Sequence, residues 1–306
     1  MTLQPHPYQG ADNFAALRSI LTEGIKASRH SGYIHIGDLN WWLYYILPSK
    51  QYDLREIAYV WRDGDAVVGW SLFSPDGVFD LFVHPDERHS PRRADMLAWT
   101  VERAAEIAKS AGVSDLSTEF VFMDDPAWSD LLATHGFTPD ASNPSLYTAF
   151  DLSSSIPAAP VPEGFTVRSV EGTHEAAGRA ETHRLAFSPG SRMTEEKYIH
   201  FMTSAPDYRP ELDVVAVASD GRIAAYAQGW VDVENGIGLF EPVGTHPDFR
   251  KLGLCRAVIY EGLRRMQAAG ATEAHVYPYE NDDASEVYRK LGFQTRNKII
   301  VYRKAI

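Results

Sequence analysis

Apolar and polar positions along this chain switch repeatedly between a period of two and a period near 3.6, the signatures of half-buried strands and amphipathic helices. In the second half, Phe165-Thr-Val-Arg-Ser-Val predicts a strand, residues 175–187 and 195–202 predict two helices, and Asp213-Val-Val-Ala-Val-Ala and Ile223-Ala-Ala-Tyr-Ala-Gln-Gly-Trp-Val predict strands around the Asp220-Gly221 turn. Ile237-Gly-Leu-Phe-Glu-Pro-Val follows as another strand. An amphipathic helix over 257–269, a strand at Glu273-Ala-His-Val-Tyr and a short helix over 284–290 complete the series.

The first half runs through the same elements. Val67-Val-Gly-Trp-Ser-Leu-Phe matches the strand from Ile223, His84-Pro85-Asp86 matches His246-Pro247-Asp248, and His135-Gly136-Phe137 echoes Leu291-Gly292-Phe293. A repeat of this size is a duplicated domain, not a solenoid unit. Between the copies lies Leu152-Ser-Ser-Ser-Ile-Pro-Ala-Ala-Pro-Val-Pro-Glu-Gly164, whose Ser and Pro content predicts an extended linker. The expected organisation is one domain over 1–152, a linker over 153–163 and a second domain over 164–306.

Strand and helix patterns flank Arg250-Lys-Leu-Gly253-Leu-Cys255-Arg256. Glycine at 253 admits backbone dihedrals closed to other residues. Such a turn can aim a row of backbone N–H groups, with the positive end of a helix behind them, at a pyrophosphate. Laid on the first half through the His-Pro-Asp triplets, Gly253 falls on Pro91, which has no N–H, and Cys255 on Arg93; Glu241 falls on Phe79. Anchored on the Gly-Phe pairs, Tyr288 falls on Leu132 and Asn281 on Asp125.

The R-x-x-G-x-small turn, followed by Asn281-Asp-Asp-Ala284-Ser-Glu-Val-Tyr288-Arg-Lys-Leu-Gly292-Phe293, resembles the two motifs of the GNAT acetyltransferase superfamily. The resemblance implies an α/β (mixed, α+β) fold of two tandem GNAT domains, each a mostly antiparallel twisted sheet flanked by helices with a splayed central strand pair. The layout is similar to that of mycothiol synthase, a two-domain member with one more degenerate half. It implies an enzyme moving an acetyl group from acetyl-CoA directly to a primary amine, without a metal. The alternatives are a non-catalytic acyl-CoA-binding or regulatory protein and a protein lysine or N-terminal acetyltransferase. The cofactor side would comprise Val243, Thr245, Arg250, Lys251, Leu252, Gly253, Leu254, Cys255, Arg256, Asn281 and Ala284. Asn281 would contact the pantetheine arm or cap the following helix.

Glu241 precedes Pro242, which favours a bulge in its strand. By the resemblance it is the base that deprotonates the substrate ammonium, with Asp232 and Glu234 as rivals. Tyr288 would serve the leaving thiolate. Cys255 is read as a small apolar residue beside the cofactor rather than a nucleophile. The His-Pro-Asp triplets read as capped turns, not metal ligands. The acceptor walls are expected at His183, Phe187, Arg192, Tyr198, Trp230 and Tyr279. The aromatic run Trp41, Trp42, Tyr44 and Tyr45 is read as core. The first half is expected to have no acetyl-CoA site; the alternative is a shifted register with a working site around Arg88, Arg92 and Arg93.

Composition narrows the partners. With 41 acidic and 29 basic side chains the formal charge is −12, which argues against nucleic-acid binding. A single cysteine excludes an intrachain disulfide. No apolar run nears the ~20 residues of a membrane span. The N-terminus, from Met1, lacks the pattern of a secretion signal. A cytoplasmic monomer, an intrachain pseudo-dimer acting on a small-molecule amine, is the expectation.

Overall fold

The computed structural model describes residues 3–29 and 31–306; Met1 and Thr2, part of the stretch read above for a leader, lie outside them. The first half contains β1 (Gln4–Pro7), α1 (Ala11–Ser28), α2 (Ile36–Trp41), α3 (Leu47–Ser49), α4 (Leu54–Ile57), β2 (Ala58–Asp63), β3 (Ala66–Phe73), β4 (Phe79–Val83), α5 (Pro91–Ser110), β5 (Asp115–Phe122), α6 (Pro126–Thr134) and β6 (Thr138–Asp151). A π-helical turn, Trp42–Ile46, joins α2 to α3. The second half repeats the order with β7 (Phe165–Ser169), α7 (Ala176–Ala186), α8 (Glu195–Ser204), β8 (Asp213–Ala218), β9 (Ile223–Asp232), β10 (Ile237–Thr245), α9 (Leu254–Ala268), β11 (Glu273–Val276), α10 (Asp283–Leu291) and β12 (Gln294–Ala305).

The strands form a four-stranded sheet, β1-β2-β3-β4, and an eight-stranded sheet, β5-β12-β6-β11-β10-β9-β8-β7. Pairing is antiparallel except between β10 and β11, which run parallel. The expected mixed α/β fold with a mostly antiparallel sheet is present in each half.

The sheet order crosses the linker. β6, from the first half, pairs with β11 of the second, from Glu273 opposite Asp151 to Val276 opposite Thr148. β12, at the end of the second half, pairs with β5 of the first, from Ile299 opposite Phe122 to Ala305 opposite Asp115. The two exchanged strands also pair with each other, Gln294 opposite Ala149 through Arg303 opposite Thr138. The first half thus lends β6 to β11 of the second, and β12 of the second inserts between β5 and β6 of the first, all within the eight-stranded sheet.

Close packing holds α9 on its sheet. Its buried face, Leu254, Ala257, Val258, Leu263 and Met266, has helical spacing. Met266 lies over Gly238 of β10, where an added Cβ would come within 2.5 Å of its sulfur. Between the halves, a Cβ on Gly37 of α2 would sit 2.4 Å from Cγ of Trp230 on β9. Trp41 stacks edge-on against Phe201 with centroids 5.1 Å apart. Polar contacts add to this: Arg18 reaches Asp207 at 3.1 Å, the Asn40 amide donates to Asp207 at 2.8 Å, and Asn235 donates to the Thr22 carbonyl at 2.9 Å. No helix among the described residues is long and apolar enough to cross a membrane.

Because β11 needs β6 as its neighbour, residues 164–306 expressed alone are expected to give poorly dispersed amide NMR spectra. Co-expression with residues 1–152 is expected to restore dispersion. A well-dispersed spectrum from the isolated half would show that strand exchange is not required for folding.

Candidate functional site

β10 organises the site. It pairs with β11 from Ile237 opposite Glu273 to Leu239 opposite His275, then leaves it. On its other edge, the ladder with β9 breaks after Phe240 and resumes at Val243 opposite Ala227. Glu241 and Pro242 occupy the gap. Pro242 has no N–H to donate, so a continuous ladder cannot form there. The Trp230 indole N–H donates to the Glu241 carbonyl at 2.7 Å and fixes the bulge. The splayed strand pair expected from the sequence is therefore β10 and β11.

The Glu241 carboxyl faces two adjoining cavities. Burial alone pushes it up to about 7, against an ordinary glutamate near 4.5. A carboxyl so placed exchanges protons near neutrality, as a general base must. The rivals are engaged elsewhere. Asp232 accepts N–H bonds from Glu234 and Asn235 at 3.1 and 3.3 Å in the β9–β10 turn, and Glu234 reaches Arg18 at 3.4 Å.

Beyond β10, His246 accepts the Asp248 N–H at 3.2 Å through Nδ1, as His84 accepts that of Asp86 at 3.3 Å. Both triplets thus form capped turns. Lys251 has φ of 65° and Gly253, the residue before α9, has φ of 83°. Gly253 offers no side chain to cap the helix, and the Ala257 N–H is the first bonded back to it, at 3.2 Å. The amides of residues 252–256 have no protein partner among the described residues. Unfilled N–H groups at a helix start form an anion site. A Cβ on Gly253 would meet no protein atom closer than Arg256 Nη2 at 3.8 Å. The positive φ, not crowding by the protein, is what demands glycine there.

Arg250, Lys251, Leu252 and Arg256 are exposed around this turn, Leu254 is buried beneath it, and Val243, Thr245 and Cys255 are partly buried. Burial pushes the Cys255 thiol up to about 11, so at neutral pH it is no thiolate. Tyr288 packs edge-on against Phe293 at 5.6 Å and is buried. Desolvation holds its hydroxyl well above the usual range, and the charges of Cys255 and Glu241 add to this. It stays a hydrogen-bond donor. Asn281 does not cap α10; that position belongs to Asp282. Its amide instead donates to the Ser142 carbonyl at 3.3 Å, and its backbone N–H to Asn143 Oδ1 at 3.1 Å. Ala284 is exposed in the first turn of α10.

The acceptor side divides. His183, Phe187 and Arg192 line a cavity of 440 Å³ that reaches Glu241, and Tyr279 lines a second one of 630 Å³ that also reaches it. Tyr198 and Trp230 do not line the cavities: they are fully buried in a cluster with Phe201 and Leu239. The Tyr198 hydroxyl bonds Asp213, which also pairs with the buried Arg179 at 3.2 Å. For Tyr198, on α8, helical spacing could not separate a core face from a binding wall. Conversely, Trp41 lines both cavities and Trp42 the larger, so part of the aromatic run read as core is wall. His183 is held neutral, pushed down to about 3 by burial and by Arg179, and contacts Ser191 Oγ at 2.7 Å.

In the first half the matching turn is filled. Ser90 caps α5 by accepting the Arg92 N–H at 3.2 Å, and Pro91 follows. The helix caps thus place Ser90, rather than Pro91, opposite Gly253. Arg93 is buried with its guanidinium 4.3 Å from the Trp128 ring centroid, and Arg88 pairs with Asp125 at 2.6 Å.

Comparison with known proteins agrees with this geometry. The model of the acetyltransferase (GNAT) family matches residues 178–293. Mycothiol acetyltransferase of Streptomyces avermitilis is 30% identical over 146 residues, 47% of each chain, so the match spans about half the length of that relative. That of Paenarthrobacter aurescens is 24% identical over 83% of this chain and 76% of its own. Acetyltransferase YE1169 of Yersinia enterocolitica is 31% identical over 33% of this chain and 70% of its own. A tandem GNAT protein from the clavulanic acid biosynthesis pathway has the same fold, with a TM-score of 0.70 at 16% identity, covering 99% of this chain and 98% of that one.

Gly253→Val forces a β-branched residue to positive φ and sets its methyl groups beside the free amides. It is expected to weaken acetyl-CoA binding at least about tenfold by titration calorimetry. Unchanged affinity would move the anion site elsewhere.

Proposed function

The chain belongs to the GNAT acetyltransferase family, and we propose that it moves the acetyl group of acetyl-CoA to the primary amine of a small molecule. One observation carries this reading. A single strand, β10, presents a desolvated carboxylate at Glu241 to an open cavity and then leads into an uncapped helix start at Gly253. The amides after Gly253 would hold the pyrophosphate, and the gap between β10 and β11 would take the pantetheine arm.

In the reaction, the acceptor enters as an ammonium and Glu241 removes one proton, directly or through water. The freed amine attacks the thioester carbonyl, whose oxygen is polarised by backbone N–H groups near Val243. The C–S bond then breaks, the nitrogen gives up its second proton to solvent to leave the neutral amide, and Tyr288 gives its proton to the departing thiolate, regaining one from solvent, or holds it by a hydrogen bond. The neutral state of Tyr288 and the near-neutral titration of Glu241 suit these roles. No metal is needed for any step.

The first half would take no acetyl-CoA, since Ser90, Pro91 and Arg93 fill the place of the anion site. It would act as the built-in partner of an intrachain pseudo-dimer, in a monomer working in the cytoplasm. Its residues Trp41, Trp42 and Lys50 cover the acceptor cavities, which favours a small acceptor over a protein substrate.

Titration calorimetry is expected to give one acetyl-CoA per chain; two sites would overturn the silent first half. The pH profile of kcat/KM is expected to rise through about 7, because the base works only when ionised. Glu241→Gln should lower kcat about 100-fold or more and remove that limb. A limb that persists in the variant would assign the base to another group.

A further inference from the structure

The larger cavity contains a carboxyl pair that the reaction above does not use. Asp80, on β4, and Glu119, on β5, both come from the first half and line the cavity that reaches Glu241. A parallel bridge between Val78 and Ser117 joins β4 to β5, and the strands lie in different sheets. The first half thus has its own parted strand pair, and it opens toward the acceptor cavity.

Asp80 is 7% exposed and accepts a hydrogen bond from Thr118 at 3.0 Å. Neither Asp80 nor Glu119 has an ion-pair partner among the described residues. The cations that act on Glu119 are already engaged, Lys50 by Asp76 and Arg303 by Asp140 at 2.9 Å. Burial and the neighbouring Glu119 push Asp80 up to about 8, and burial also raises Glu119. Asp80 is a buried carboxyl without a cation, which is costly, and the exposed Glu119 adds a second acceptor in the same cavity, so an incoming cation would be favoured here. The same cavity is walled by the aromatic side chains of Trp41, Trp42 and Phe120. Aromatic faces attract ammonium groups, and an ammonium brings only donors, matching carboxyl acceptors. At 630 Å³ the space suits a small molecule.

We propose that Asp80 and Glu119 form a subsite for a second ammonium group, so that the acceptor is a diamine or polyamine whose other amine meets Glu241. The reacting end of this proposal rests on the acetyl-transfer reading; the subsite itself is tested by binding alone. The first half then keeps a part in the site: it selects the acceptor without touching the acetyl donor.

The probes are 1,5-diaminopentane, its monoamine counterpart pentylamine, and glucosamine, titrated calorimetrically into the full chain at neutral pH. Thiol release from acetyl-CoA is followed in parallel. The diamine is expected to bind about tenfold or more tighter than pentylamine, the worth of one charge-assisted hydrogen bond. That advantage is expected to shrink to about twofold or less in Glu119→Gln and in Asp80→Asn. Glu119 is exposed on β5, so its variant tests the pair even if Asp80→Asn melts early. Equal binding of diamine and monoamine, or an advantage that survives both substitutions, overturns the subsite. Tighter binding of glucosamine than of the diamine overturns the ammonium class. A diamine advantage without thiol release from any amine keeps the subsite and sinks the acetyl-transfer reading; thiol release without the advantage does the reverse.

Discussion

Pro242 cannot donate a hydrogen bond, and much of the site depends on that missing N–H. A regular β10 would stay in register with β9 and keep its side chains at alternating, fixed positions. The break between Phe240 and Val243 instead turns Glu241 into the cavities, while Trp230 secures its carbonyl at 2.7 Å. Past Leu239 the strand also parts from β11. One local irregularity therefore sets the base, opens a slot beside it and leaves the strand running on to the turn at Gly253.

That irregularity is useful only if something closes the other side of the cavity, and strand exchange does this. With β6 on β11 and β12 on β5, the halves cannot separate without breaking ladders on both sides. Their facing elements, α2 with its π-helical extension from the first half and α7, α8 and β9 from the second, are thereby held against one another. Trp41 sits at this junction, 5.1 Å from Phe201 and 5.7 Å from His183 between ring centroids. The first half thus contributes walls and charge to a site whose donor side belongs to the second.

The sequence displayed what is local. The positive-φ glycine, the proline that breaks a ladder and the helix carrying Tyr288 each announce themselves within a few residues. Long-range pairing does not. β12 is mostly half-exposed along its length, with Ile299 its one buried residue, so it lacks the alternation that marks a strand against a core. Its partners lie more than a hundred residues away. Nor could periodicity tell Tyr198 and Trp230, which only pack inward, from Trp41 and Trp42, which also line a cavity: β9 and α2, which carry Trp230 and Trp41, are buried at every position and show no polar face to read. Asn281 shows the same limit, since its partners Ser142 and Asn143 belong to the other half. Asp80 and Glu119 carried no motif at all; only the cavity brings them into view.

The geometry that readies Glu241 also has a cost. A carboxyl held near 7 instead of 4.5 has its ionised form destabilised by folding, relative to its neutral form, by roughly 3 kcal/mol. With the folded value raised, stability is full below the unfolded value and declines as pH climbs through the folded one. At neutral pH and above, the protein therefore carries its base as a destabilising charge. Asp80, pushed up to about 8, adds a second penalty in the same cavity, as a carboxyl that stays largely protonated at neutral pH and becomes a buried charge only above it. Neither penalty can be relieved by a nearby cation without removing the property it confers: a base paired with arginine would not take up a proton near neutrality, and a filled carboxyl pair would not receive a ligand. The compensation must come from elsewhere, and the exchanged strands and the aromatic junction between the halves are where it is available. On this view the duplication does more than cover the cavity. It supplies the packing that lets two unpaired carboxyls remain buried in it.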